Sequence, residues 1–369
     1  MRLNPLTFSL IISALSLLAS CDDAEERDSR TFSESFVDLT AANGTTSVAL
    51  GDVDSDNDLD LVEGNASNQA NTVWLNSDDT FNDSGQALGA STTTSIVLSD
   101  VDGDDDLDLV VGNANNQSNK VWVNDGFGNY SDSSQALGTN NTRSIALGDV
   151  DGDDDLDLVA GNYAQADKVW LNDGFGNYSD SGQTLGSSNT FLVALGDVNG
   201  DGDLDLVVGN ANQANTVWFN DGDGNYSDSS QSLGASDTRS VALGDMDGDG
   251  DLDLVAGNFN GEANTIWFNN GAGTYTDSGQ VLGASDTSSV ALGDINGDGD
   301  LDLVAGNFNG QANTIWLNDG DGVYVDSGEA LGTNDTLFIT FGDVDGDGDL
   351  DLVTGNDDQA NKVYINSSN

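Results

Sequence analysis

The chain has 369 residues, with 65 acidic and 8 basic side chains, a formal net charge of -57, no histidine and one cysteine. That balance argues against nucleic acid as a partner, because phosphate binding needs clustered Lys and Arg. The lack of His and of a usable Cys removes the common ligands of zinc and copper, and only six of the 65 acids are Glu, a bias toward the short carboxylate that turns and hard-cation loops use.

Residues 1 to 20 read as an export leader. Arg2 precedes an apolar run from Leu6 to Leu18, which is too short to span a bilayer and suits the h-region of a signal peptide. The stretch LASC, residues 18 to 21, resembles a bacterial lipobox, in which Cys21 is acylated and becomes the mature N-terminus. The resemblance implies an exported protein, lipid-anchored in the bacterial cell envelope, with the leaflet left open. Cys21 and the polar residues after it, DDAEERDSRT, form an acidic tether over 21 to 31 without apolar period. No later stretch is apolar for long enough to insert, so the lipid alone touches the membrane.

From residue 32 to 369 one unit recurs. A nine-residue acidic loop begins at Asp52, Asp100, Asp149, Asp197, Asp245, Asp294 and Asp343, a period of 48 or 49 residues. The unit that starts at Arg239 contains four short runs, SVALG, LDLVAG, NTIWFN and TYTDSGQVL, parted by Gly, Asn and Asp. Four strands per unit predict a propeller blade, and seven units predict an all-β, seven-bladed β-propeller over 32 to 369. The last unit stops after its third strand, NKVYIN, whereas TFSESFVDL at 31 to 39 aligns with fourth strands elsewhere. The N-terminal strand is therefore expected to complete the last blade and close the ring, leaving no long unpaired edge. Trp74, Trp122, Trp170, Trp218, Trp267, Trp316 and Tyr364 share one place in the third strand, and are expected as wedges between blades rather than sugar platforms.

The loops read DVDSDNDLD, DVDGDDDLD twice, DVNGDGDLD, DMDGDGDLD, DINGDGDLD and DVDGDGDLD. Oxygen donors at positions 1, 3 and 5 with a carbonyl at 7 resemble the early part of an EF-hand loop, although no helices flank them. The candidate metal residues are Asp52, Asp54, Asp56, Asp58 and Asp60 in the first loop, and Asp100, Asp102, Asp104, Asp106 and Asp108 in the second. The third supplies Asp149, Asp151, Asp153, Asp155 and Asp157, and the fourth Asp197, Asn199, Asp201, Asp203 and Asp205. The fifth supplies Asp245, Asp247, Asp249, Asp251 and Asp253, the sixth Asp294, Asn296, Asp298, Asp300 and Asp302, and the seventh Asp343, Asp345, Asp347, Asp349 and Asp351. Position 6 is Gly in four loops and Asn57, Asp105 or Asp154 in the others, residues that tolerate a left-handed turn.

These units resemble FG-GAP repeats of the VCBS type, related to the calcium-binding blades of integrin alpha-chain propellers. The resemblance covers residues 32 to 369 and implies up to seven structural Ca²⁺ ions. In the fifth loop the implied ligands are Asp245, Asp247, Asp249 and Asp253 with the carbonyl of Asp251, and likewise in each copy. Asn199 and Asn296 each remove one charge.

With calcium structural, function is expected on another surface. The loops joining strands two and three, such as SNQANT and NGQANT, are rich in amides that suit either sugar hydroxyls or backbone groups at blade corners. At the start of strand one the repeat breaks into Thr46, Thr94, Arg143, Phe191, Arg239, Ser288 and Leu337. Arg143, Phe191 and Arg239 are the candidate ligand-binding residues. The leading expectation is a calcium-stabilised, monomeric surface module for adhesion or for carbohydrate or protein recognition. Its partner would be a glycan or an envelope or extracellular protein. The alternatives are a propeller-type polysaccharide lyase or hydrolase, and an envelope scaffold without a small ligand. No catalytic constellation stands out, so the chain is not expected to be an enzyme. Seven calcium ions would still leave a formal charge of about -43, which repels anionic polymers.

Overall fold

The computed structural model describes residues 31–34, 44–77 and 80–367. The regular structure among them is β-strand, arranged in seven sheets whose main path has four strands each. The first strands of successive blades neighbour one another around the axis, from Thr45–Gly51 through Thr336–Gly342 and back to Thr45–Gly51. The molecule is a seven-bladed β-propeller, as the period and strand count predict.

The second strands explain why the repeat contains LDLV. Each, such as Asp253–Asn258, is buried along its whole length, because neighbouring blades cover both faces of every sheet. Seven apolar clusters fill the gaps between blades. Val150, Val159 and Val169 of the third blade, for example, meet Val193, Leu195 and Leu206 of the fourth, and Trp218 packs against the same cluster. The other tryptophans and Tyr364 occupy the equivalent gaps, which makes them wedges. In each gap they add buried area to an interface that the short strands alone could not hold.

Polar stitches fix the angle between blades. The Asn that ends each third strand reaches the acidic loop of the preceding blade. Asn220 Nδ2 donates to the Val150 carbonyl at 2.8 Å and to the Leu204 carbonyl at 3.2 Å, while the Asn220 N–H donates to Asp205 at 2.9 Å. Near the rim, Gln183 Nε2 donates to the Gly224 carbonyl of the next blade and its Oε1 accepts from the Tyr226 N–H at 2.9 Å. Asn220→Ala would strand the buried Val150 carbonyl, while the Leu204 carbonyl keeps the Tyr226 hydroxyl at 2.9 Å, at a cost of roughly 1–3 kcal/mol. Urea unfolding in calcium checks this, and a loss below about 1 kcal/mol would show that the stitch is dispensable.

The ring closes through the N-terminal strand. Thr31–Glu34 pairs antiparallel with Lys362–Ser367, with Thr31 opposite Ser367 and Glu34 opposite Tyr364. Phe32 packs against the cluster that contains Leu331 and Tyr364. Residues 35–39 of the expected strand lie outside the described residues, as do the leader and residues 21–30 of the tether with Cys21, whereas Thr31 at the tether's end belongs to the closing strand.

Most fourth strands are shorter than the pattern TYTDSGQVL predicts, while that of the sixth blade, Val325–Leu331, runs through the corresponding turn with a shifted register. In the fifth blade only Thr276–Asp277 is strand. The Gly279 N–H donates to Asp277 Oδ1 at 2.8 Å, and Gly279 sits at φ +74, so an Asx turn breaks the strand. The break frees Gln280 to reach the Gly322 carbonyl of the next blade at 2.7 Å.

Candidate functional site

Every acidic loop joins strand one to strand two, so all seven open at one end of the ring. The first aspartate folds the loop around itself. Asp100 Oδ1 accepts from the Gly103 and Asp104 N–H groups at 2.8 and 3.2 Å, and its Oδ2 accepts from the Asp105 N–H at 2.9 Å. Asp149 and Asp197 make the same fan. The sixth position is left-handed throughout, with φ of 74, 72 and 70 at Asn57, Asp105 and Asp154, and between 93 and 97 at the four glycines.

The ninth aspartate is the buried anchor. Asp253 Oδ2 accepts from the Met246 N–H at 3.0 Å and Oδ1 from the Asn269 N–H at 2.8 Å, which ties the loop to the third strand. Burial, opposed by these bonds, pushes the carboxyl up to about 7 in Asp108, Asp157, Asp253 and Asp302. In Asp60, Asp205 and Asp351 it is pushed up to about 6. Asp54, Asp102, Asp151 and Asp247 at the third position are likewise raised, by burial first and then by neighbouring aspartates.

Carboxylates gather in five of the loops. Asp52, Asp54 and Asp60 bring one oxygen each to within 4.8 Å of one another, as do Asp100, Asp102 and Asp108, and Asp149, Asp151 and Asp157. In the fifth and seventh blades the trios are Asp245, Asp247 and Asp249, and Asp343, Asp345 and Asp347. Asp54, Asp102, Asp151 and Asp343 each keep a buried Oδ1 without a hydrogen-bond partner. Orphaned oxygens among like charges are costly unless a cation satisfies them, and an all-oxygen donor set selects a hard cation. These residues fit calcium, with the acids at positions 1, 3, 5 and 9 as the groups that would hold it.

The remaining loops and positions differ. Asn199 and Asn296 replace the third acid, and each accepts from the N–H two residues on, in Asp201 and Asp298, at 2.9 Å. Asn296 Nδ2 also donates to Asp298 at 2.8 Å. At position 7, Asp106, Asp155, Asp203, Asp251 and Asp300 lean against the hairpin glycines Gly126, Gly174, Gly222, Gly271 and Gly320. Their side chains stand outside the carboxylate trios.

At the opposite end of the ring the amides serve the backbone. Asn71, Asn119, Asn215, Asn264, Asn313 and Asn361 are buried and accept from the N–H that ends strand two of their own blades. Gln117, Gln165, Gln213, Gln311 and Gln359 accept from the N–H groups of Thr92, Asn141, Asn189, Asp286 and Asp335. The amide-rich loops are thus blade corners. Asp167 stands where the other blades carry the buried Asn; it accepts from the Asn162 N–H at 2.7 Å and from Thr190 Oγ1 at 3.0 Å.

Burial pushes the Asp167 carboxyl up to about 7. A raised acid favours the fold while protonated and destabilises it as pH climbs from about 4 through about 7. Asp167→Asn is therefore expected to stabilise the ring by roughly 2–4 kcal/mol at pH 8 and by little at pH 4. Melting curves of both chains at the two pH values check this; an equal effect at both would contradict the charge argument.

The irregular residues converge. Arg143, Phe191 and Arg239 line one cavity of about 290 Å³ at the axial mouth, on the face away from the acidic loops, with Phe259, Phe308 and Leu337. The Arg239 guanidinium carbon lies 3.9 Å from the Phe191 ring centre and 4.8 Å from that of Phe259. The Arg143 guanidinium is 5.5 Å from both Phe191 and Tyr163, and Tyr163 meets Phe191 edge-on. Tyr163, Phe259 and Phe308 were legible as variable residues after the GN that ends strand two, but their convergence needs the ring.

A closed ring of blades with acidic, all-oxygen loops at one end defines an acidic-loop repeat propeller. The FG-GAP-like repeat family matches residues 100–160, 149–208, 197–256, 245–305 and 294–354, and the chain belongs to that family. Among solved structures the chain is similar to BBS1N in complex with ARL6DN, soaked with mercury. That likeness has a TM-score of 0.66 and 12% identity, covering 92% of this chain and 97% of that one. The lead-soaked crystal of the same complex gives 0.64 and 12%, over 90% and 96%. The computationally designed Ika8 protein gives 0.55 and 16%, over 90% and 100%. These likenesses show the fold alone. No curated protein matches the chain at a significant level.

Proposed function

We propose that this chain is a calcium-stabilised binding module, anchored at the bacterial cell surface through Cys21, which recognises a glycan or protein partner on the face away from the cation loops. The observation that carries this reading is where the repeat is broken. Loops, wedges and stitches recur around the ring, whereas the axial mouth collects Arg143, Phe191 and Arg239 from three consecutive blades. A fixed scaffold that varies at one concave place suits recognition. BBS1N, similar in fold, was solved in complex with another protein, which supports a protein partner as one form of that role. Among the described residues that line the cavity none is Asp or Glu, so a binding role is favoured over a glycoside hydrolase that works through paired carboxylates.

Glycan-array binding and pull-down from envelope extracts, each in calcium and in chelator, test the reading. Calcium-dependent capture that is lost on substitution of Arg143 is expected. Capture that survives that substitution would move recognition to another face.

A further inference from the structure

Eight basic residues serve the whole chain, and only two arginines lie beyond residue 30. Both line the axial cavity, in a protein of formal charge -57. Their situations differ. Arg239 is neutralised by Asp237, which accepts from its Nε and Nη2 at 2.9 Å each. Arg143 has no carboxylate partner among the described residues, and its Nε is buried without a hydrogen-bond partner. Burial, and then the nearby Arg239, lower the affinity of Arg143 for its proton, the mark of a cation short of a counter-charge.

The cavity also gives up structural bonds. At this position Thr46 Oγ1 donates to the Thr93 carbonyl of the next blade at 2.7 Å, and Thr94 to that of Thr142 at 2.9 Å. Among the described residues Arg143, Phe191 and Arg239 make no such bridge. One residue further on, Ser144 Oγ accepts from the Val193 N–H and Ser240 Oγ from the Val290 N–H, but the fourth blade has Leu192 there. Departures from a stabilising repeat without a structural gain mark a functional place.

We infer that the axial mouth binds a single carboxylate carried on a flat, apolar body, with the carboxylate on Arg143 and the body among Phe191, Phe259 and Phe308. A guanidinium presents a planar fork that matches a carboxylate, and the aromatic walls accept a ring. Beneath the mouth a narrower space of about 160 Å³, lined by Val97, Ala146, Ala194 and Leu243, extends the apolar surface. The surrounding acidity selects against polyanions and leaves a monoanion as the best guest. This assignment rests on the binding reading only in taking the axial face as the recognition face.

The probe is phenylacetate, titrated calorimetrically into the full chain in calcium, with phenylacetamide and inorganic phosphate as comparisons. A short peptide ending in a free C-terminal Phe tests whether the carboxylate is presented by a protein. Saturable binding of phenylacetate with a Kd of about 0.1–1 mM is expected, at least tenfold tighter than the amide. Arg143→Gln is expected to weaken it at least tenfold and Arg143→Lys to a smaller extent, while Lys168→Gln on the outer rim leaves it unchanged. Tighter binding of the peptide than of the free acid assigns the carboxylate to a protein terminus; the reverse assigns it to a small acid. Equal binding of acid and amide, undiminished binding by Arg143→Gln with an unchanged melting curve, or no saturation would overturn the inference. If Arg143→Gln fails to fold, Arg143→Lys and Phe191→Ala carry the comparison. Loss of glycan or protein capture while phenylacetate still binds would instead count against the wider recognition role.

Discussion

In excess chelator the melting temperature of the ring is expected to fall by roughly 10–20 °C. The effect follows from the arrangement of the acids. Each ninth aspartate is fully buried and tied to two backbone N–H groups, as Asp253 is, and in four loops a neighbouring aspartate holds an orphaned oxygen. Without a cation the loops keep mutual repulsion that only protonation relieves. With a site filled at a hundred times its dissociation constant, the fold gains about 2.7 kcal/mol per site, and a few such sites rival the net stability of an ordinary domain. Burial of the ninth aspartates, and then their charged neighbours, predicts that the chelated ring is firmer near pH 4 than near pH 8, since carboxyls pushed up to about 6 or 7 become charged across that interval. Calorimetric melting in calcium, in chelator and after calcium is restored measures this. An unchanged melting temperature in chelator would mean that the loops are acidic turns and nothing more.

A chain that starts at residue 40 is expected to lose roughly 3–5 kcal/mol of stability and to associate. It lacks the strand Thr31–Glu34, which covers the edge of Lys362–Ser367, and it lacks Phe32, which packs beside Tyr364. An uncovered edge offers unpaired N–H and C=O groups to another chain. The six other blades close through covalent succession, so this junction is the one place where the ring depends on a strand from the opposite end of the sequence. Size-exclusion chromatography with urea unfolding checks both parts. A monomer of unchanged stability would show that the last blade stands on three strands.

How much of this is legible in the sequence depends on repetition. Blade number, strand order, the left-handed sixth position of each loop and the closing strand all follow from a period that seven copies make unmistakable. The wedge role of Trp74 and its equivalents is legible for the same reason, because a large side chain in every blade must answer to a feature that every blade has. The stitches were visible as letters but not as bonds. Asn220 recurs in every copy and Gln183 in five, as Gln86, Gln135, Gln183, Gln231 and Gln280, yet their partners lie in the adjacent blade, and no local rule pairs residues about 40 to 70 positions apart. The amide corners were ambiguous because one side chain suits either a sugar or a backbone N–H; the buried Asn215 decides for the backbone. The axial cavity was half legible. Arg143, Phe191 and Arg239 stand out as breaks in the repeat, whereas Phe259 and Phe308 join them only when the ring brings the strand-one starts and the blade corners to one axis.

The most direct test of the central claim is to count cations on the folded chain by native mass spectrometry after equilibration with calcium. The five loops that gather three carboxylates are expected to fill first, and the loops with Asn199 and Asn296 last, giving five to seven Ca²⁺ per chain. A folded ring that carries no calcium would contradict the account.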